Sequence, residues 1–358
     1  MDFLIQTKKI MKKLKVGIIG SGFGLNCHFP SFRQNKNCNV LALCTKNAIK
    51  GKKLAKKNGI KNYFNNWKLM IKSIDLDIIS IAVPPKDQPK IVKFCLSKSI
   101  PVLAEKPLSI SLSDSKQIYL KQKKNKIPGL IDFIFPEIDI WKKTREIIQK
   151  KKFGSVKNLS VDLNFQSYAN MKKISSWKNN INMGGGILHH FLSHIFYYLE
   201  WFCGTISSIS VKLNKEKNYK FTGHTKAIIL LKFSSGTTGI IRASSNNYGV
   251  HEHVLKFIND RGTIILENRK NDWVKDFKLQ TIDNKIKKNI NVKYKNKKKT
   301  DSRIYPVSKI VNKLVNWVIY KKKESPNFKS AVRVQYLIEK SLLSNKLKGR
   351  WVSAKNFT

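Results

Sequence analysis

The sequence has no two cysteines at CxxC spacing, no uninterrupted apolar stretch long enough to cross a bilayer, and few acidic side chains. The five cysteines, Cys27, Cys38, Cys44, Cys95 and Cys203, are odd in number and partly embedded in apolar runs. That excludes a disulfide framework and fits reduced thiols in a cytoplasmic protein. No segment approaches the roughly 18 apolar residues of a membrane span, and the first residues, MDFLIQTKKIMKKLK, lack an apolar core followed by a small-residue cleavage site. Neither a span nor a secretion signal is expected, and residues 1–13 read as an extension ahead of the first strand. The 22 Asp and Glu stand against 70 Lys and Arg, a formal charge of +48. Such a surplus raises nucleic acid, an anionic surface or an acidic substrate as partners. Lys is nevertheless scattered over nearly every helix and loop together with Asn and Ile, as an AT-rich coding sequence would give. Its densest run, 285–299 (KIKKNINVKYKNKKK), lacks the Arg and interleaved aromatics of a base-stacking surface. That run reads as a solvated loop or exposed edge hairpin, and nucleic acid is not an expected partner.

What is present is enough apolar material for sizeable cores, 41% hydrophobic and 10% aromatic, so the chain is not disordered despite its charge. Its 358 residues exceed the roughly 250–300 at which one core stops growing, and two domains are expected. From Leu14 short apolar strands alternate with helices: LKVGIIG, VLALC (40–44), 62–64, DIISIAV (77–83) and PVLA (101–104), with helices over 48–58, 67–71, 88–97 and 112–123 between or after them. This predicts a doubly wound parallel sheet over 14–127. From 128 to 358 longer, alternating strands follow at 156–165, 206–213, 225–233, 237–245 and 253–267, with helices at 142–151, 186–202, 307–320 and 329–344. A second α/β domain with a large, mostly antiparallel open sheet is the expectation.

Gly20, Gly22, Phe23 and Gly24 form the first strand-to-helix turn, where small residues let backbone amides approach a pyrophosphate at a helix N-terminus. Leu25 stands where the full GxGxxG fingerprint would need glycine. An NAD-specific site carries an acidic residue about 20 positions on; here Thr45 and Lys46 occupy the end of the second strand, a hydroxyl and a cation that favour NADP over NAD. Val83, Pro84 and Pro85 end one strand, and Glu105, Lys106 and Pro107 follow another, all at the carboxyl edge where open α/β sheets bind ligands. A desolvated Lys there can hold or donate a proton. His28 reads as a partly buried helix residue. In MGGGILHHFLSHIFYYLEW (183–201) His190 and His194 share a helix face, but without an HExxH glutamate or a nearby third ligand no metal site is expected; His189, a quarter-turn away, reads as a core or capping residue.

The order of VGIIGSGFGLNCHFPSF, AVPP, EKPL, the GGG helix, AIILLKFSSGTTG, INDRGTIILEN and PNFKSAVRVQYLIEKSLLS with GRWV resembles the Gfo/Idh/MocA family over about residues 14–353. The resemblance implies NAD(P)-dependent transfer of hydride between nicotinamide and a sugar, cyclitol or nucleotide-sugar hydroxyl or carbonyl. It also implies dimers or tetramers formed through the C-terminal sheet. It makes Lys106 the residue that orients substrate and relays the proton, with a Lys106–Pro107 bond that is cis in relatives. His194 becomes a substrate ligand or general acid/base, and Trp177 a pocket wall. His190 stands where relatives carry an aspartate: either it acts as base, its ordinary value near 6.5 being suited to that, or the chain is a catalytically weakened dinucleotide-binding or regulatory relative. Gln88 replaces a histidine and is expected to touch ligand. Reduction of a non-sugar carbonyl is the remaining alternative.

Overall fold

The first sheet is parallel because every strand returns through a helix. In the computed structural model, which describes residues 12–284, 286–292 and 300–355, β1 (Leu14–Ile19), β2 (Cys38–Cys44), β3 (Asn62–Phe64), β4 (Ile78–Ile81), β5 (Val102–Ala104) and β6 (Gly129–Ile131) lie in the order β3-β2-β1-β4-β5-β6. All pairs are parallel. The helices α1 (Phe29–Gln34), α2 (Ala48–Lys57), α3 (Trp67–Ser73), α4 (Gln88–Ser97) and α5 (Leu112–Asn125) connect them. Asn47, Asn66 and Ser111 cap α2, α3 and α5, each side chain accepting a first-turn amide. Strand order reverses between β1 and β4, which opens a crevice at their carboxyl ends.

The parallel sheet runs past the boundary expected at 127/128. Gly129–Ile131 pairs with Val102–Ala104, so the junction follows β6. Three apolar residues carry no alternation that could assign them to either sheet; their pairing decides it.

The second part contains α6 (Asp139–Gln149), β7 (Val156–Asn164), the single turn α7 (Tyr168–Met171), α8 (Ser193–Cys203), β8 (Ile206–Asn214), β9 (Lys226–Phe233), β10 (Thr238–Ser244), β11 (Glu252–Asn259), β12 (Gly262–Asn268), β13 (Lys278–Asp283), β14 (Ile286–Ile290), α9 (Ile304–Tyr320), α10 (Phe328–Lys346) and β15 (Val352–Ser353). Nine strands order as β14-β13-β12-β11-β7-β10-β9-β8-β15, antiparallel except where β10 runs parallel to β7. The run 253–267 is two strands, broken at Asp260-Arg261, and β13 was not anticipated. β14 forms an edge hairpin with β13 inside the Lys-rich run; residues 285 and 293–299 of that run, like residues 1–11, lie outside the described residues. One sheet face is apolar and covered. The other is wet, with Ile228, Leu230 and Ile258 exposed on it.

The last two helices return to the first sheet. α9 packs on α1, and α10 packs on α5 and β6, where Leu130 bridges Asn327 and the Ile131 amide donates to the Pro326 carbonyl at 3.0 Å. Among the described residues no helix is long and apolar enough to cross a membrane.

Candidate active site

One cavity of about 1280 Å³ opens between the carboxyl edge of the first sheet and the apolar face of the second. Its first wall is the β1–α1 turn. Gly20 has φ +112°, and a Cβ there would lie 2.1 Å from the Ala82 carbonyl oxygen, so the turn requires glycine. At Gly22 a Cβ would meet nothing within 4 Å, and that glycine lines the cavity with Phe23. Here is a cradle a side chain would fill, and it fits a dinucleotide's pyrophosphate. Gly24 sits behind it, packed on Ala82 and Ile18, and serves helix–strand approach rather than the cavity wall.

Thr45 and Lys46 reach the same wall. The Thr45 hydroxyl donates to the Asn47 carbonyl at 3.1 Å, while the exposed Lys46 ammonium pairs with Asp87 at 3.2 Å. Val83 and Pro84 line the cavity. Pro85 lies instead against Gly184, whose Cβ would stand 2.6 Å from it. Gln88 also departs from expectation. It is fully buried, and its amide nitrogen donates to the carbonyls of Glu105 (2.5 Å), Pro107 (3.1 Å) and Leu108 (3.2 Å) while its oxygen accepts the Glu105 amide at 3.1 Å. It therefore clamps the Glu105–Leu108 turn and does not line the cavity.

That turn presents Lys106, and the Lys106–Pro107 peptide is cis. The ammonium donates to the His190 carbonyl at 2.7 Å, across to the other half of the molecule. Burial lowers the Lys106 pKa to about 8; Lys178 and Arg303 push the same way, and Glu105 and Asp132 oppose them. His190 sits in a π-turn, Leu188–Leu192, that feeds α8, a distortion often found at functional sites. The preceding GGG lets this segment close on its neighbour: a Cβ at Gly185 would stand 2.2 Å from the Trp177 carbonyl. The Trp177 ring meets His190 edge-on at 5.2 Å.

His190 and His194 both line the cavity, and neither Nδ1 has a partner. Burial and the nearby Lys106 hold both imidazoles well below their ordinary value. The value near 6.5 that recommended His190 as a base therefore does not hold inside the protein: it is neutral, and weakly basic. His189 is buried, and burial with His224 lowers it to about 4.

Sequence reasoning missed His28. It is fully buried beneath the turn, with Nδ1 2.7 Å from the Ser80 hydroxyl and Nε2 3.2 Å from Glu105 and 3.3 Å from Asp132. Burial opposes its charge, but hydrogen bonds to the two carboxylates outweigh it and raise the imidazole pKa to about 9. Asp132 is raised by burial and by Glu105, whereas Glu105, held by His28 and Lys106 against its own burial, is lowered. The signal was available: Asp132 follows an apolar strand at the ligand-binding edge, as Glu105 does. Lys178, Arg303 and an aromatic wall of Phe165, Phe191 and Trp273 complete the cavity and had no sequence signal, since they converge from distant segments.

A Rossmann sheet with a glycine cradle and a lysine at its carboxyl edge defines a dinucleotide-dependent oxidoreductase. Residues 14–128 match the oxidoreductase family with NAD-binding Rossmann fold, and residues 141–265 match the GFO/IDH/MocA C-terminal domain. The chain belongs to the Gfo/Idh/MocA oxidoreductase family. An uncharacterized oxidoreductase of Synechocystis sp. is 24% identical, over 95% of this chain and 96% of its own length. A D-apiose dehydrogenase of Rhizobium rhizogenes is 20% identical, over 65% of this chain and 66% of its own. The fold is also that of levoglucosan dehydrogenase solved with NADH, at a TM-score of 0.84 and 16% identity, covering 97% of this chain and 100% of that one.

Proposed function

We propose that this oxidoreductase interconverts a hydroxyl and a carbonyl on a sugar-like substrate, with Lys106 exchanging the hydroxyl proton. The observation that carries the reading is the Lys106 ammonium, held at the His190 carbonyl between the glycine cradle and the histidine helix, in one continuous cavity. The dinucleotide, when bound along Gly20, Gly22, Phe23, Val83 and Pro84, supplies the hydride acceptor or donor. In its amine form Lys106 takes the proton of the substrate hydroxyl; as ammonium it returns that proton to a carbonyl oxygen. His190 and His194, both neutral and lining the cavity, orient the hydroxyl groups, and Trp177 offers a flat wall to the ring.

The acidic residues facing the cavity, Asp87, Glu105 and Asp132, are each already engaged. Lys178 lines the cavity beside Trp177 with no acidic side chain bonded to it among the described residues, which favours a sugar carrying a carboxylate or phosphate; Arg303 is paired with Asp301 and lies over Phe23 of the glycine turn. The cofactor reading is NADP, with Lys46 as reader of the 2′-phosphate. Titration of wild type and Lys46→Ala with NADPH and NADH tests it: the variant loses about tenfold in NADPH affinity, the weight of one charge-assisted contact, and little for NADH. An equal loss for both removes Lys46 from that role. The preferred cofactor then serves a panel of neutral sugars, sugar acids and nucleotide-linked sugars, in which acidic members should show the lowest KM; turnover of neutral sugars alone overturns the anionic assignment.

Cytoplasmic residence fits the free thiols, four of the five buried. The wet face of the second sheet, with Ile228, Leu230, Ile258 and Trp351 exposed, is the proposed surface of a homodimer or homotetramer. Light scattering checks this, a monomer at every concentration being the contrary result.

A further inference from the structure

His28, Glu105 and Asp132 converge from three segments. β5 and β6 are paired through Ala104 and Ile131, so the next residue of each strand, Glu105 and Asp132, emerges at one level of the sheet. His28, at the end of the π-turn Gly24–His28, brings its Nε2 between the two carboxylates, and Ser80 on β4 fixes the other nitrogen. A histidine serving the core alone is satisfied by one partner at each ring nitrogen. Here a second buried carboxylate is added against the first, and its Oδ1 has no partner, an arrangement that costs stability unless another charge answers it. Lys106 is the cation one residue on: its main-chain amide donates to Glu105 Oε2 at 3.1 Å, its ammonium donates to the His190 carbonyl at 2.7 Å, and Glu105 and Asp132 raise its proton affinity against the effect of burial.

We propose that His28 and Asp132 are positioning residues for Lys106: from beneath the turn they hold Glu105 in place, and they set the charge against which Lys106 gains and loses its proton. The inference rests on the reading of Lys106 given above. The other ionisable groups facing this cluster and Lys106 are Cys27 beside His28, Lys178, His190 and His194 from the far wall, and Arg303, which is tied to Asp301. None of them bonds either carboxylate, so His28 and Asp132 are the two groups whose removal changes the local charge in opposite senses.

The same three ligand atoms lie within 4.8 Å of one another, close enough for a metal ion. Hydrogen bonding accounts for the arrangement better. Both Nε2 contacts fall at hydrogen-bond length, Ser80 engages Nδ1, and two further cations, Lys106 and Arg303, stand close by.

The test needs no substrate. Lys106 acetylation by acetic anhydride is followed against pH by peptide mass spectrometry in the full-length wild type, His28→Gln and Asp132→Asn, with surface lysines as internal reference. Removing the imidazolium should raise the Lys106 midpoint, and removing the carboxylate should lower it, each by about one pH unit, a tenfold change in proton affinity. Asp132→Glu should restore the wild-type midpoint. A loss of packing alone would move both variants the same way or neither, and that result overturns the proposal, as does stoichiometric metal in the purified protein. If His28→Gln proves insoluble, the Asp132 pair decides. Failure of the underlying reading is separate: it appears as undiminished turnover in a Lys106 variant, whereas a turnover that depends on Lys106 beside unmoved midpoints sinks this inference alone.

Discussion

Lys106→Ala is expected to lower turnover by about 10²- to 10⁴-fold, the usual worth of a positioned proton-transfer group, while dinucleotide affinity stays nearly unchanged. Trp67 and Trp177 line the cavity, so quenching of intrinsic fluorescence reads the affinity directly. The pH profile carries the sharper signature. The folded-state pKa of Lys106 is lowered to about 8, so the amine that accepts a proton accumulates as pH rises through that value. Alcohol oxidation should climb over this interval and carbonyl reduction, which needs the ammonium, should fall; the variant should lose both limbs. Unchanged turnover, or a limb that persists without Lys106, would remove the residue from the reaction.

Two glycines of one turn should fail in different ways. Gly20→Ala forces a Cβ to 2.1 Å from a main-chain oxygen at a φ of +112°, and such strain costs about 1–3 kcal/mol, read as a lower thermal midpoint. The Cβ of Gly22→Val meets nothing within 4 Å and points into the cavity wall's open side, so the protein should fold with its midpoint nearly unchanged. Its new side chain occupies the volume proposed for the pyrophosphate, and dinucleotide affinity should fall about 100-fold, or about 2.7 kcal/mol. Normal NADPH or NADH binding by Gly22→Val would mean that the cofactor lies elsewhere.

The contrast between these glycines shows what could be read in advance. Glycine at a first strand-to-helix turn is a local signal, as are the apolar runs that became β1, β2, β4 and β5, and the alternation that became β7 and β9. Lys106, His190 and His194 were legible because a strand end and a helix face are defined by a few neighbouring residues. What escaped depends on convergence. β6 is too short to show a period, and β13 is a six-residue strand beside a Lys-rich run. His28 looked like an ordinary helix residue because its two carboxylate partners lie 77 and 104 positions away. Gln88 looked like a ligand contact because its turn position is visible in the sequence, whereas the four backbone bonds that occupy its amide are not.

The return of α9 and α10 to the first sheet makes the molecule indivisible at the point where its two sheets meet. A fragment ending after β6 would bare the surfaces of α1, α5 and β6 that these helices cover, and in the remainder Val307, Ile310, Val311, Leu314 and Phe328, all fully buried in the intact protein, would lose the part of their cover that those elements supply. The two halves are therefore successive in the gene yet interlocked in space, and the nucleotide-binding half cannot be finished until the last helix has left the ribosome.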